Sequence, residues 1–143
     1  MREYAGDVFV ARNIRFRFDT SGTAGDQKLG MEARRQLFLI FKECLHNIVR
    51  HSGCTQASVE LTVVDDWLIL RVTDNGRGFD PAIDAKARPA RGHGLENMCS
   101  RARSLGGRLE TIATPGGGVT TVLHIPLPHR LRSWSWHPPK WSG

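Results

Sequence analysis

Three polar residues, Glu43, Asn47 and Arg50, recur at helical spacing within the segment from Glu32 to His51. At about 100° per residue they fall within about 60° of one another, so a carboxylate, an amide and a guanidinium would form one ridge. The amide oxygen suits Mg²⁺, the carboxylate could accept a proton or orient a metal-bound water, and the guanidinium could pair with a phosphate oxygen. A solvated helix surface often carries such a ridge, so it does not define a site alone.

A first glycine-rich turn, Asp74-Asn-Gly76-Arg-Gly78-Phe79, comes directly after an apolar run. Asn-Gly is a common hairpin turn, but a plain hairpin needs no second glycine two residues later. The two glycines suggest a backbone that a flat group approaches closely. Asp74 could accept a hydrogen bond from an exocyclic amine such as that of adenine.

A second glycine-rich turn, Gly92-His93-Gly94, precedes the helical pattern that starts at Leu95. Glycines before a helix allow backbone N–H groups to face an anion, helped by the helix dipole. The sequence has no GxxxxGK[ST], which excludes a P-loop, and no GxGxxG at a strand–helix junction, which argues against a Rossmann site.

The elements that would position these groups follow from hydrophobic periodicity and turn residues. A stripe of apolar residues predicts the buried side of the long helix, which Gly53 would end: Phe38, Phe41, Leu45, Ile48 and Val49. The predicted elements are a short helix in 1–12, strand 14–18, loop 20–28, helix 32–51, strands 59–63 and 68–72, loop 74–94, helix 95–105, and strands 109–113 and 120–125. Because the strands come in hairpins, we predict an α+β two-layer sandwich with one mixed sheet and helices on one face.

Length and composition are those of one cytoplasmic domain. The chain has 143 residues and 40% hydrophobic residues, enough for one core. It contains no apolar run of the roughly 20 residues that span a bilayer, and no signal-peptide pattern at its start. Its three cysteines form no CxxC pair, so we expect neither a disulfide framework nor a zinc site. Whether a parent protein is membrane-anchored stays open.

The positive charge raises nucleic-acid binding as an alternative. Half of the net charge of +6 comes from three residues of the segment 128–143, namely Arg130, Arg132 and Lys140. The remaining charges are scattered, so we expect no nucleic acid. The segment 128–143 differs in composition, with Pro-Pro and three tryptophans, and we interpret it as a basic tail.

Taken together, the motifs resemble a known superfamily. Glu43-x-x-x-Asn47-x-x-Arg50-His51, then Asp74-x-Gly76-x-Gly78-Phe79, then Gly92-x-Gly94-Leu95 are similar to the N box and glycine boxes of the GHKL ATPases. These comprise gyrase-type topoisomerases, large heat-shock chaperones, MutL-type repair proteins and histidine kinases. FKECLHNIVRHSG and GHGLENMCSRARSLGG resemble most closely the kinases of the nitrate-sensor and DesK-like class. The resemblance covers about residues 14–127 and implies a Bergerat-type sandwich with a short ATP lid in 80–91.

The resemblance implies a site for ATP and Mg²⁺. Asn47 would hold Mg²⁺ between the phosphates, and Glu43 would be the catalytic acidic residue that assists transfer. Asp74 would bind the adenine amino group, and the Gly-Thr that family members carry at the start of the last strand is assigned to Thr120, with a register open by one residue. The other ATP-binding residues would be Arg50 and His51 facing the phosphates, Gly76, Gly78 and Phe79 beside the base, and Gly92, His93, Gly94 and Leu95 at the lid.

The resemblance also implies a role as the ATP-binding catalytic domain of a two-component sensor histidine kinase. The γ-phosphoryl would pass to a histidine on a separate dimerisation domain, and from there to a response regulator. None of the six histidines here has the expected acceptor context, so we expect no autophosphorylation by this chain alone. We divide the chain into a catalytic domain, 1–127, in which 1–12 would be the remnant of a linker helix, and the tail, 128–143. The alternatives are an anti-sigma-factor-type serine kinase of the same superfamily and a basic nucleic-acid-binding module.

Overall fold

The computed structural model describes residues 1–22, 29–80 and 93–128 of the chain. The elements of these residues are α1 (Arg2–Val10), β1 (Arg15–Ser21), α2 (Met31–Asn47), a π-helical turn (Ile48–Ser52), β2 (Gln56–Val64), β3 (Trp67–Asp74), α3 (Gly94–Ser104), β4 (Arg108–Thr114) and β5 (Gly118–Pro126). Each predicted helix and strand is present, with bounds that differ by a few residues.

The five strands form one mixed sheet in the order β1-β2-β3-β5-β4. β1 runs parallel to β2, whereas the β2–β3, β3–β5 and β4–β5 pairs are antiparallel. β2–β3 and β4–β5 are the two predicted hairpins. The α+β sandwich with a mixed, mostly antiparallel sheet is therefore confirmed.

The core lies between the helices and one face of the sheet. Alternate strand residues are buried there, among them Val59, Leu70, Val72, Leu123 and Ile125. The opposite face carries exposed charges such as Glu60, Arg71 and Glu110. The predicted apolar stripe of α2 and the π turn faces this core: Phe41, Leu45 and Ile48 are buried, and Phe38 and Val49 pack against them.

The first helix is part of this core. Ala5 and Phe9 of α1 are fully buried, and the Tyr4 ring packs edge-on against Phe38 of α2 at 5.6 Å between centroids. The Lys42 ammonium lies 5.4 Å from the centroid of the Tyr4 ring, a cation–π contact. α1 therefore contributes buried side chains to the core and packs against α2.

The three cysteines of the chain are unpaired thiols. All three are free, and Cys44 is only 4% exposed, with its Sγ 3.7 Å from Sδ of Met98. Burial raises the pKa of the Cys44 thiol to about 12, so it stays protonated and packs as an apolar side chain.

Several predictions fall on residues outside the described ranges. These are the lid beyond Asp80, the glycine-turn residue Gly92, part of the loop 20–28, and the tail from residue 129 onward. Among the described helices, none combines the length and apolar character that crossing a membrane requires.

Candidate functional site

Asp74, the last residue of β3, is a buried carboxylate at one end of the sheet, with 4% of its surface exposed. Its Oδ1 accepts a hydrogen bond from the Gly76 N–H at 2.8 Å, and the carboxylate also accepts one from the Val119 N–H. Burial raises the pKa of Asp74, and these two backbone donors oppose the shift. The result is a fixed, desolvated acceptor where β3 enters the first glycine turn.

The first glycine turn packs on the π turn that follows α2. A β-carbon at Gly76 would overlap the Ser52 carbonyl oxygen and would lie 2.8 Å from Asp74 Oδ1. Arg77 adds two bonds to the same turn, since its N–H donates to Ser52 O at 2.9 Å and its Nε donates to His51 O at 2.7 Å. The C-terminal end of the long helix is thereby attached to the Asp74 loop.

Gly78 makes its close approach on another side of the turn. Its φ is +62°, and a β-carbon there would overlap the carbonyl oxygen of Thr114 at the end of β4. The neighbouring Arg77 carbonyl accepts a hydrogen bond from the Gly116 N–H at 2.6 Å. The sequence suggests that a flat group approaches these two glycines, and in the structure the chain itself makes a close approach at each of them.

Asn75 fixes the start of β2 against the same turn. Its Oδ1 accepts hydrogen bonds from the backbone N–H groups of Thr55 and Gln56 at 3.0 and 2.9 Å, and its Nδ2 donates to Thr55 Oγ1 at 3.0 Å. Sequence reasoning interpreted this residue only as half of an Asn-Gly turn signal. It also missed the anchoring roles of Ser52 and Arg77, for which the sequence carries no separate signal.

Glu43 of α2 meets Gly94, the first residue of α3. A β-carbon at Gly94 would overlap Glu43 Oε1, so the glycine lets the start of α3 pack directly on the carboxylate. His46, one turn along α2, has its Nδ1 4.0 Å from the same oxygen. At the start of α3, His93 Nδ1 is 3.1 Å from Glu96 Oε2, and Leu95 packs against the core.

Asn47 is the last residue of α2. Along the chain it lies between Glu43, which contacts Gly94, and Ser52, which contacts Gly76. The Asn47 side chain is half-buried and forms no hydrogen bond within the described residues. Those residues also contain no cluster of three or more His, Cys, Asp or Glu side chains that could hold a metal ion. An amide oxygen at this point suits Mg²⁺, which keeps several waters and takes phosphate oxygens as further ligands.

Arg50 and His51 lie in the π turn and are exposed. Since a π-helical turn bonds i to i+5, it contains more residues than an α-helical turn. The expected 100° spacing therefore holds from Glu43 to Asn47, but not onward to Arg50. Placing all three residues on one straight ridge was wrong for this reason, although Arg50 remains exposed beyond Asn47.

Thr120 lies on the face of the sheet opposite Asp74. Its Oγ1 is 3.3 Å from Thr73 Oγ1, and Thr73 and Thr120 are direct partners in the β3–β5 pair. Asp74 is instead paired with Val119. Because side chains alternate along a strand, the hydroxyl on the Asp74 face belongs to Thr121, which is 9% exposed. The geometry does not support Thr120 as the residue beside the base.

Comparison with known proteins gives consistent results. Residues 32–129 match the family model described as histidine kinase-, DNA gyrase B-, and HSP90-like ATPase. The chain is 36% identical over 102 residues to the sensor protein VraS of Staphylococcus aureus, covering 71% of this chain and 28% of that protein. Against VraS of Staphylococcus epidermidis the identity is 37% over 91 residues, covering 64% and 25%. The chain thus spans about a quarter of the length of these relatives.

Solved structures share the fold. The histidine kinase domain of the blue-light activated histidine kinase EL346 from Erythrobacter litoralis superposes with a TM-score of 0.68 at 21% identity, covering 88% of this chain and 58% of that one. The histidine kinase AdeS of Acinetobacter baumannii gives 0.67 at 18% identity, covering 87% and 60%. Because the family model matches most of the chain, this chain belongs to the histidine kinase-, DNA gyrase B- and HSP90-like ATPases.

Proposed function

We propose that the chain is the ATP-binding catalytic domain of a two-component sensor histidine kinase. The observation that carries this proposal is the double contact of one helical segment: Glu43 packs on Gly94, and Ser52 packs on Gly76. Asn47 lies between the two contacts, and the buried Asp74 lies at the base of the Gly76 turn. A carboxylate acceptor for a base and polar groups for phosphates thus border one region of the molecule.

In this proposal, Asp74 accepts a hydrogen bond from the adenine amino group. The backbone N–H groups of Gly76 and Val119 hold the carboxylate in place, so it needs little reorganisation when the base enters. Its burial strengthens the hydrogen bond, because the carboxylate gives up little water on binding.

Asn47, Arg50 and Glu43 act at the phosphates. The Asn47 amide oxygen holds Mg²⁺, which neutralises phosphate charge when bound, and the exposed Arg50 guanidinium contacts phosphate oxygens. Glu43 accepts the proton of the attacking group or orients a water beside it. Phosphoryl transfer depends mainly on positioning and charge stabilisation, which is why the acceptor histidine can belong to a separate domain.

The partners in this proposal are a helical dimerisation domain that carries the acceptor histidine and a response regulator that receives the phosphoryl group. The site therefore works on the cytoplasmic side of whatever sensor it belongs to. The proposal rests on the relatives, which are sensor proteins, and on the absence of a suitable acceptor histidine in the sequence.

Calorimetric titration tests the nucleotide site. Wild type, Asp74→Ala and Asn47→Ala are titrated with ADP, with and without Mg²⁺, and Asp7→Ala serves as an exposed aspartate control on α1. We expect Asp74→Ala to abolish binding, Asn47→Ala to remove mainly the effect of Mg²⁺, and Asp7→Ala to change nothing. Unaltered affinity in Asp74→Ala would contradict the proposed pocket.

A transfer assay tests the reaction. The chain is incubated with radiolabelled ATP and either a histidine-bearing helical domain of a sensor kinase or an antagonist protein of the anti-sigma type. An acid-labile product on the helical domain supports phosphohistidine, and an acid-stable product on the antagonist supports a serine kinase. Salt-dependent oligonucleotide binding without affinity for ADP would favour the basic binding module instead.

A further inference from the structure

A shallow hollow lies on the face of the sheet opposite the helices, at the corner formed by β1, β2 and the end of β3. Its volume is about 360 Å³, and its lining includes Arg15, Arg17, Gln56, Ser58 and Thr73. Ser58 is the direct partner of Arg17 in β1 and of Thr73 in β3, which places these three side chains in one row on the open face. Because β1 is an edge strand, the hollow can be reached from the edge of the sheet as well as from its face.

The hollow exists because short side chains form its floor and long side chains form its walls. Ser58 and Thr73 are half-buried, whereas the arginine and glutamine side chains around them are exposed. Asn75, at the end of β3, does not fill the space, since its Oδ1 accepts a hydrogen bond from the backbone N–H of Gln56 at 2.9 Å. The floor is therefore open to a ligand.

The polar groups of the hollow are mainly hydrogen-bond donors without partners. Within the described parts of the chain, the side chains of Arg15, Gln56 and Ser58 form no hydrogen bond or ion pair. Arg17 pairs with Asp19, two residues along the same strand, and both side chains are exposed. Since an exposed ion pair contributes little free energy, the Arg17 guanidinium can accept a second carboxylate.

The carboxylate of Asp74 does not weaken this positive character. Asp74 borders the hollow, but its side chain lies on the other face of the sheet, where the N–H groups of Gly76 and Val119 bind it. The formal charges that face the hollow are thus two guanidiniums, one of them shared with Asp19. A ligand that complements them is an anion with several hydrogen-bond acceptors.

We propose that the hollow binds an extended acidic segment of a partner protein. Arg15 and Arg17 lie two residues apart on one face of β1, or about 7 Å along the strand. An extended segment with carboxylates at alternate positions repeats at the same distance, so each carboxylate meets one guanidinium. Gln56 and Ser58 donate to the carbonyl oxygens of the segment.

The spacing of the two guanidiniums favours such a segment over a free anion. A small anion would contact one guanidinium at an exposed site, where salt screens the attraction. A segment contacts both guanidiniums and the floor at once. The site lies outside the nucleotide pocket and does not depend on the proposed function.

Fluorescence anisotropy of a labelled peptide with glutamates at two alternate positions tests this inference on the full chain. The hollow variant combines Arg15→Gln with Arg17→Gln, and the control variant combines Arg103→Gln with Arg108→Gln, which removes the same charge elsewhere. We expect the hollow variant to bind the peptide about tenfold more weakly and the control to bind it as wild type does.

The control is matched in structure as well as in charge. Arg108 pairs with Glu110 on the opposite edge strand, as Arg17 pairs with Asp19, and Arg103 is exposed on α3. A second peptide carries its two glutamates at adjacent positions, which point to opposite sides of an extended chain, and it should bind more weakly than the first. Thermal midpoints of all variants should equal that of wild type, because the substituted side chains are exposed.

Three outcomes would overturn the inference. Equal losses of affinity in the two double variants, or equal affinity for the two peptides, would mark non-specific attraction to a chain of net charge +6. Peptide displacement by inorganic phosphate at similar concentration would indicate a site for small anions. No detectable peptide binding by wild type would exclude the site altogether. ADP affinity should be the same in all variants, so a failure of the proposed function would be seen separately, as a wild-type chain that binds no ADP.

Discussion

Gly94, the first residue of α3, lies so close to the carboxylate of Glu43 on α2 that an added β-carbon would be 2.3 Å from Glu43 Oε1. A side chain at position 94 would occupy the space that Glu43 Oε1 now fills. The group that would have to yield is the end of a flexible side chain, which can rotate away at little cost to the fold.

Gly94→Ala is therefore expected to displace Glu43 without unfolding the domain. We predict a fall of about tenfold or more in phosphoryl transfer to a histidine-bearing helical domain, with ADP affinity changed much less. Gly6→Ala is the control, because Gly6 lies inside α1 with nothing within 4 Å of its added β-carbon. That control should stabilise the chain by about 0.5–1 kcal/mol and leave transfer unchanged. Equal transfer rates in Gly94→Ala and wild type would contradict the assignment of Glu43.

The buried Asp74 makes a specific contribution to the pH dependence of stability. Burial raises its pKa above the ordinary 3.8, so the folded chain binds this proton more tightly than the unfolded chain does. The free energy of unfolding that Asp74 contributes is thus greatest below pH 3.8 and falls as pH rises through the folded-state pKa.

Asp74→Asn should remove this loss of stability with rising pH, because asparagine does not titrate. Denaturant unfolding of variant and wild type, measured from acid to neutral pH, should show the variant gaining stability relative to wild type as pH rises. The substitution should also weaken ADP binding by about tenfold, because a charge-assisted hydrogen bond becomes a neutral one. Parallel stability curves for the two proteins would exclude a raised pKa at Asp74.

Gly78 and Gly53 have nearly the same backbone conformation but different surroundings. Their φ values are +62° and +59°, yet a β-carbon at Gly78 would overlap the Thr114 carbonyl, whereas nothing lies within 4 Å of one at Gly53. We expect Gly53→Ala to cost about 1–2 kcal/mol, the strain of a left-handed alanine. Gly78→Ala should cost clearly more and weaken ADP binding, because the glycine turn must separate from β4. Similar unfolding free energies for the two variants would contradict this account.

Much of the fold could be predicted from the sequence, because local patterns agree with the tertiary packing. The stripe around Phe41 and Leu45 faces the core, and strand alternation correctly assigns Leu70 and Leu123 to the buried face. Gly53 ends the long helical segment in a left-handed conformation, as its position predicts. These features depend only on periods of 3.6 and 2 and on the conformational freedom of glycine.

Three features of the site could not be predicted from periodicity or from a glycine pattern. Thr120 and Thr121 are adjacent hydroxyls on opposite faces, and only the pairing of Asp74 with Val119 decides which of them shares the carboxylate's face. The π turn that shifts Arg50 is a local extra residue, which a fixed 100° spacing cannot reveal. A glycine pattern likewise cannot tell whether a ligand or, as at Gly78, the chain itself makes the close approach.

α1 packs one of its faces into the core and exposes the other. Phe9 is fully buried, and the centroid of its ring lies 5.5 Å from that of the Phe16 ring. The next residue, Val10, is 74% exposed. Because Phe9 fills part of the core, Phe9→Ala should lower the free energy of unfolding by about 3–5 kcal/mol. Val10→Ala, on the exposed side of the same helix, should change it by no more than about 0.5 kcal/mol. Chemical denaturation of both variants tests whether α1 belongs to the catalytic domain. If α1 were instead a linker that only contacts the domain surface, both substitutions would change the free energy of unfolding by a similarly small amount.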